Sequence, residues 1–370
     1  MERAEVVVVG GGPAGSSCAA RLIAGGADVL VLDRARFPRD KTCAGWVTPE
    51  AVAALRLDIT AYAAEHTLQP IRGFRVGWAF GPGREVDYGA VVSYGIRRCE
   101  LDTYLLRRSG ARLRLGEGVA RVRRERDRWL LNDGVEAPLL VGAGGHFCPV
   151  ARELRGPSPG SRSGVRRRTV VAQEMEIRLS SEQSARCRVA PERPELDFLS
   201  DLSGYGWCFR KGDYLNVGFG RRDPQALASE VRKYLAWLTE TGRIPAGLPS
   251  PLLGHAYRLR EGAPGPIVGP GALLVGDAAG LAYAASGEGI YPAIVSGQIA
   301  AEVLLAGRAT GDGQLACYPA RLTERLGGPA VSRIPAGPLR ALAGKALLGS
   351  PWLLRHVVLD RLFLHRHAAA

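Results

Sequence analysis

Val6-Val7-Val8-Val9-Gly10-Gly11-Gly12-Pro13-Ala14-Gly15, running on to Val29-Leu30-Val31-Leu32-Asp33, decides the fold of this chain. The stretch spells an apolar strand, a Gly10-x-Gly12-x-x-Gly15 turn that opens a helix, and a second apolar strand ending on an acid. That context separates a dinucleotide-binding unit from a chance triplet of glycines. Gly10 permits the tight turn, Gly12 leaves the backbone bare where a pyrophosphate approaches, and Gly15 lets the helix pack closely on the sheet. The helix start at Pro13 and Ala14 directs unpaired N–H groups and the positive end of the helix dipole at the phosphates. Asp33 stands 18 residues after Gly15, about where an acid accepts hydrogen bonds from an adenosine ribose.

The amino-terminal stretch does not choose between NAD and FAD; a second motif does. Gly271-Ala272-Leu273-Leu274-Val275-Gly276-Asp277-Ala278-Ala279-Gly280 is again an apolar strand meeting a small-residue turn, now with an acid at its end. Such an acid can hydrogen-bond a polyol, and the ribityl chain of a flavin is the polyol that needs it. Ser286-Gly287-Glu288-Gly289-Ile290 follows and leads into a helical run from Tyr291 to Leu305. Gly287, Gly289 and the helix start at Ile290 would turn N–H groups toward the electron-rich edge of an isoalloxazine ring.

With both motifs in view, the chain resembles flavoproteins of the geranylgeranyl reductase family, within the larger group similar to para-hydroxybenzoate hydroxylase. Further segments carry the resemblance. Phe37-Pro38-Arg39-Asp40-Lys41-Thr42-Cys43-Ala44-Gly45-Trp46 is similar to the family's Lys-x-Cys-Gly-like turn beside the flavin. Arg98-Cys99-Glu100-Leu101-Asp102 matches an Arg-x-x-Leu-Asp pattern whose arginine contacts the cofactor. Gly204-Tyr205-Gly206-Trp207-Cys208-Phe209-Arg210-Lys211, with Asn216-Val217-Gly218 after it, looks like the Tyr-x-Trp-x-Phe-Pro-Lys segment of the substrate sheet. The likeness spans roughly residues 5 to 310 and is more specific to the superfamily than to reductase over oxygenase.

Departures from the family pattern bear on substrate more than on cofactor. Val141-Gly142-Ala143-Gly144-Gly145-His146 has Gly144 where flavin hydroxylases carry an acid, which weakens an aromatic-hydroxylase reading. Ala284 and Arg210 replace prolines of related segments, and no Gly-Trp-x-Trp-x-Ile-Pro run of a halogenase occurs.

The fold class expected is α/β: a Rossmann-type FAD-binding domain with an inserted antiparallel-sheet substrate domain and a helical C-terminal region. Residues 1–70, 90–155 and 255–310 are assigned to the FAD-binding domain, 71–89 and 156–254 to the substrate domain, and 311–370 to the C-terminal helices. Alternation in Val170-Val171-Ala172-Gln173-Glu174-Met175-Glu176-Ile177 predicts a half-exposed strand. Pro157–Arg168, rich in Gly, Ser and Arg, reads as a linker. At 370 residues and 46% hydrophobic, the chain can bury a full core.

Seven cysteines form no Cys-x-x-Cys pair, and the chain starts directly with a fold-forming strand, so a reducing cytoplasm is the expected compartment. The six histidines lack metal-ligand spacing, so no metal is expected, and His146 and His255 read as structural. A formal net charge of +13 without a recognisable nucleic-acid module excludes nucleic acid as the expected partner. The tail, Pro338–Leu348 and Trp352–Leu364, mixes apolar and basic residues at helical spacing. Such helices either pack against the substrate domain or lie on the inner face of an anionic membrane. No apolar stretch reaches the ~18 uninterrupted residues of a spanning helix.

The resemblance implies an FAD-dependent oxidoreductase that moves hydride from flavin N5 to a carbon–carbon double bond of an apolar isoprenoid, lipid or natural-product substrate. A single dinucleotide fingerprint implies that NAD(P)H or a reduced carrier docks transiently as donor. The resemblance carries cofactor roles onto Gly10, Gly12, Pro13, Ala14, Gly15, Asp33, Arg34, Lys41, Cys43, Ala44, Arg98, Val119, Asp277, Gly287, Gly289 and Ile290. Cys43 is the candidate catalytic residue, because neighbouring Lys41 would lower its thiol pKa and favour a proton-donating or thiolate role; the alternative is a small buried packing residue. Trp46, Tyr205, Trp207 and Tyr283 are candidates for the substrate wall, with core packing as the alternative. Two other functions stay open: a flavin monooxygenase on a lipid or natural product, and a flavin-binding regulator without turnover.

Overall fold

The computed structural model describes residues 1–156, 169–222, 227–249, 251–261, 265–310, 312–329 and 338–366. The expected linker, 157–168, lies outside the described residues. The chain divides into two compact units, one of Met1–Asp40, Cys99–Gly164 and Tyr257–Val331, the other of Lys41–Arg98, Val165–Ala256 and Ser332–Ala370.

The first unit is built on a six-stranded sheet. Its strand order is Val268–Gly269, Ala272–Leu274, Leu139–Gly142, Val6–Val9, Val29–Asp33, Arg112–Leu115. All neighbours pair parallel except the first two strands, which form an antiparallel edge. The four valines at 6–9 are buried on both faces, which explains why this strand is a continuous β-branched run and not an alternating one. The helix Pro13–Ala24 starts at Gly12 with Pro13 in its first turn, where a missing N–H costs nothing. Its inward face is Ala14, Gly15, Ser16, Ser17, Cys18, Ala19 and Leu22, small enough to admit the helix Ile290–Thr310 very closely. A Cβ at Gly297 would stand 2.2 Å from the Ala14 carbonyl oxygen. Helix 290–310 contains an 18-residue window, Ile290–Gly307, long and apolar enough to cross a membrane by length and composition, although Glu302 interrupts it. Two-thirds of that window is buried, as in a core helix.

The second unit carries a seven-stranded sheet in the order Leu253–Arg258, Thr169–Arg178, Tyr214–Arg221, Gly204–Lys211, Glu195–Phe198, Gly73–Trp78, Gly83–Asp87. The pairing is antiparallel at 169–178 with 214–221, at 204–211 with both neighbours and at 73–78 with 83–87; 195–198 runs parallel to 73–78. Strand 169–178 alternates in burial as its sequence predicts. A three-stranded sheet of Trp46–Val47, Ser93–Ile96 and Leu68–Ile71 belongs to the same unit.

Two groupings differ from the sequence expectation. Residues 41–70 and 90–98 cluster with the antiparallel sheet and not with the FAD-binding unit, because strands 68–71 and 93–96 pack on 204–211. The C-terminal stretch is helical at 318–326, 338–349 and 351–363, the last mostly with π-type turns. It is shared between the units: 318–326 falls in the first, and Leu348, Leu354, Val358, Leu359, Phe363 and Leu364 complete an apolar core of the second. Full burial of each such side chain contributes about 1.5–3 kcal/mol, which favours inward packing of these residues over display on a lipid surface.

Candidate functional site

The glycine turn has the geometry its spacing predicts. Gly10 has φ +116°, and a Cβ there would meet the Ala143 carbonyl oxygen at 2.3 Å. A Cβ at Gly15 would meet the Gly10 carbonyl oxygen at 1.8 Å, so helix and turn touch backbone to backbone. Gly12 is different: the nearest atom to a Cβ there is Nη2 of Arg39, at 3.5 Å. The turn therefore leaves an open cradle at Gly12, at a helix N-terminus, with a guanidinium beside it. Arg39 pairs with Asp102 at 3.2 Å and lies over the Phe37 ring at 4.7 Å. Asp102 is fully buried. The sequence reading did not single out Arg39; its signal was the buried acid of the Arg-x-x-Leu-Asp pattern, which needs a cation to compensate it.

Asp33 accepts the Gly11 amide at 2.7 Å through Oδ2 and the Ala35 amide at 2.9 Å through Oδ1. Arg34, next in the chain, is exposed. Val119 is half-buried and lines a small cavity with Leu32, Arg114, Leu131 and Asn132. The Asn132 side chain accepts the Ala120 and Arg121 amides and donates to the Gly118 carbonyl, which fixes the Val119 segment. Asp33, Arg34 and the segment that carries Val119 are thus brought together.

The second motif of this unit folds back on itself. The Asp277 carboxylate lies 3.5 Å from where a Cβ on Gly289 would be, and Gly287 has φ +74° with the Tyr257 hydroxyl filling its side-chain position at 2.6 Å. The Gly276 amide donates to Ser296 Oγ at 2.9 Å, and the Tyr291 amide donates to the Glu288 carboxylate at 3.0 Å, capping the helix that starts at Ile290. Tyr283 is half-buried in this turn, its amide donating to the Glu288 carbonyl. Asp277, Gly287, Gly289 and Ile290 are thus brought together.

In the second unit, the turn that carries Cys43 is held by a buried polar network. The Cys43 amide donates to Glu174 Oε1 at 2.7 Å, and its carbonyl accepts Asn216 Nδ2 at 3.3 Å. Lys211, fully buried, donates to the Ala44 carbonyl at 3.1 Å and to the Ile96 carbonyl at 3.0 Å, and forms an ion pair with Glu176. Gly45 has φ +68° and lies so close to strand 93–96 that a Cβ would stand 2.1 Å from the Ile96 oxygen. Asn216 accepts Trp207 Nε1 at 2.8 Å. Burial pushes the Glu174 carboxyl up to about 7 against the Cys43 amide and the attraction of Lys211. Burial acts the same way on Glu176, but the field and hydrogen bond of Lys211, with Arg97 and Asn216, hold it below its ordinary value. Glu174, Glu176, Lys211 and Asn216 escaped the sequence reading as functional residues, because inward-facing polar residues on alternating strands look like strand residues until their partners are known.

Of the proposed substrate wall, Trp46, Tyr205 and Trp207 share one aromatic group in this unit. Trp46 stacks on Phe363 at 5.6 Å and lies 4.9 Å from Phe74, while Tyr205 meets Phe363 at 5.7 Å and Trp207 at 6.1 Å. Tyr283 belongs to the other unit. Arg98 is buried at the head of helix 98–108, and Lys41 and Ala44 are half-buried, Ala44 against the aromatic core. No group of His, Cys, Asp and Glu suited to a metal ion occurs among the described residues.

An FAD-binding domain family model matches residues 3–63, the stretch that contains the open cradle at Gly12. A menaquinone reductase of Mycobacterium tuberculosis is 34% identical over 82% of this chain and 77% of its own length. The chain belongs to the geranylgeranyl reductase family of FAD-dependent oxidoreductases. Digeranylgeranylglycerophospholipid reductase 1 of Methanopyrus kandleri is 30% identical over 81% of this family member and 80% of that protein. Among solved structures, a geranylgeranyl bacteriochlorophyll reductase-like protein of Thermoplasma acidophilum shares the fold, with a TM-score of 0.73, 20% identity and coverage of 96% and 98%. The reductase-family chain is therefore an FAD enzyme, and the bare Gly12 backbone beside Arg39 fits the pyrophosphate that such a cofactor brings.

Proposed function

We propose that this enzyme reduces a carbon–carbon double bond in the polyprenyl part of an apolar lipid. The observation that carries the reading is the Cys43 turn, anchored by buried polar groups and followed at once by Trp46 of the aromatic core. FAD, when bound and reduced, supplies a hydride to one alkene carbon. The protein must then deliver a proton to the other carbon, and the Cys43 thiol is the group assigned to that step. The thiolate left behind recovers its proton from solvent, so the balance is one hydride and one proton per double bond. The Gly10–Gly15 turn, Arg39 and Asp33 hold the pyrophosphate and ribose; Asp277 holds the ribityl chain; Gly287, Gly289 and Ile290 face the ring; Arg34, Lys41, Arg98 and Val119 complete the cofactor contacts. Trp46, Tyr205 and Trp207 line the lipid's path, and Tyr283 is a further candidate contact.

The names of the relatives, menaquinone reductase and digeranylgeranylglycerophospholipid reductase, support a polyprenyl lipid as substrate class. NAD(P)H or a small reduced carrier is the proposed donor, docking transiently. Exposed Leu342, Lys345 and Trp352 on the C-terminal helices support a shallow contact with an anionic membrane from the cytoplasmic side.

The deciding experiment reduces the flavin without oxygen and then adds a polyprenyl quinone or a polyprenyl glycerolipid. Reoxidation of the flavin with loss of one alkene, in the absence of oxygen, is the expected result. Reoxidation that occurs only with oxygen and yields an oxygenated product would replace this reading by a monooxygenase.

A further inference from the structure

We propose that Glu174 is the positioning residue of the Cys43 turn: as a carboxylate it grips the Cys43 amide, and on taking up a proton it loosens that grip. Its consequence for turnover rests on the hydride-transfer reading above; the grip itself does not.

The charge arrangement around Glu174 leads to this. Glu174 and Glu176 project from one face of strand 169–178, and the cation between strand and turn is Lys211. Lys211 forms its ion pair with Glu176, which Arg97 also approaches at 3.3 Å from a position over the Tyr214 ring. Glu174 is left with neutral donors: the Cys43 amide at 2.7 Å and Asn216 Nδ2 at 3.4 Å. Two buried carboxyls that share one near cation cannot both ionise at low cost, and the one without the contact ion pair keeps its proton longer. That is the direction found, with Glu174 raised to about 7 and Glu176 lowered. Holding an amide does not require an acid. A glutamine would accept a bond from the same amide without the penalty of a buried charge, but a weaker one that does not change with pH, so an acid at this point adds both a firmer grip and a response to pH. The groups facing Glu174 are Cys43 from the turn, Glu176 from its own strand, Lys211 from strand 204–211 and Asn216 from strand 214–221.

The turn transmits the change because its other ties are fixed. Asn216 holds the Cys43 carbonyl, Lys211 holds the Ala44 carbonyl, and Gly45 has no room to move toward strand 93–96. The Cys43 amide is the tie that titrates.

The test measures alkylation of Cys43 by iodoacetamide in the FAD-loaded protein, read from the mass of the Cys43 peptide. It is expressed as the ratio of Glu174→Gln to wild type, so that the reagent's own pH dependence cancels. The ratio should be threefold or more at about pH 8.5 and fall to about one at about pH 5.5, where wild-type Glu174 is itself neutral. A ratio that does not change with pH overturns the proposal. Should Glu174→Gln fail to keep FAD, hydrogen exchange in unmodified protein gives the answer. Protection of the Cys43 amide, corrected for intrinsic exchange, should drop about tenfold from pH 8.5 to pH 5.5, and pH-independent protection overturns the proposal. If the ratio behaves as expected but no alkene is reduced, the functional reading falls and the positioning role stands.

Discussion

Asp33 Oδ2 and the Gly11 amide are 2.7 Å apart, so the acid at the end of the second strand braces the glycine turn at the end of the first. The same carboxylate also accepts the Ala35 amide, and it keeps lone pairs for a ribose. Asp33→Ala therefore removes a brace and a ligand together. FAD affinity should fall by about 1–3 kcal/mol, the range for a hydrogen bond to a charged group, as measured by titrating FAD into apoprotein. Arg98→Ala should weaken FAD within the same range of about 1–3 kcal/mol. Unchanged affinity in both variants would remove them from the cofactor site.

Gly12 and Gly15 separate binding from folding. At Gly12 a side chain meets nothing closer than Arg39 Nη2 at 3.5 Å, so Gly12→Val should fold and purify colourless, its branched side chain occupying the phosphate position. At Gly15 a Cβ would collide with backbone at 1.8 Å, so Gly15→Val should lower the melting temperature even of apoprotein. Absorbance near the flavin bands and apoprotein melting curves read the two effects apart.

Much of the first unit was legible because its information is local. A strand, a glycine turn, a helix and an acid follow one another within residues 6–33, and the contact that demands Gly15, with the Gly10 carbonyl, lies inside that same stretch. Arg39 was not legible, because its role arises from Asp102, a partner far along the chain. The Cys43 network was hidden for the same reason. Glu174, Lys211 and Asn216 come from three strands, and only their register brings them to one turn. The tail divided along similar lines: its amphipathic pattern suited a membrane or a core equally, and packing of Phe363 against Trp46 and Tyr205 is a tertiary fact.

Cys43→Ser should retain FAD and fold while slowing substrate-dependent flavin reoxidation by ~10²–10⁴-fold, the usual contribution of a positioned acid or base. Cys208 is the control. It is fully buried on strand 204–211, among the side chains packed under helix 227–240, and burial holds its thiol well above the ordinary value. Cys208→Ser should change the reoxidation rate little. Stopped-flow absorbance of the flavin distinguishes the two variants, and a wild-type rate in Cys43→Ser would reduce Cys43 to packing.

A second buried charge cluster predicts how stability responds to pH. Asp197 accepts Arg75 at 3.1 Å, Arg243 at 3.0 Å and the Tyr234 hydroxyl at 2.8 Å, with Glu195 3.2 Å from Arg243. Burial outweighs these partners and raises Asp197 to about 6 and Glu195 to about 7. The folded state thus binds more protons than the unfolded chain from about pH 4 to about pH 7, and these two groups make stability fall as pH rises through that window. Urea unfolding at both ends of the window should show that slope in wild type. Asp197→Asn should flatten part of it and leave the share of Glu195; an unaltered slope would show that Asp197 is not a source.

The second unit is assembled from residues 41–98, 165–256 and 332–370, and its aromatic core closes with Phe363. During synthesis, its central strands emerge long before that ring does. The sheet must wait with Trp46, Phe74 and Tyr205 uncovered until the final helix arrives, a stage at which exposed apolar surface invites aggregation. A stop shortly before Phe363 would spare every residue assigned to cofactor or substrate and still yield a chain that a cell's quality control recognises as unfinished.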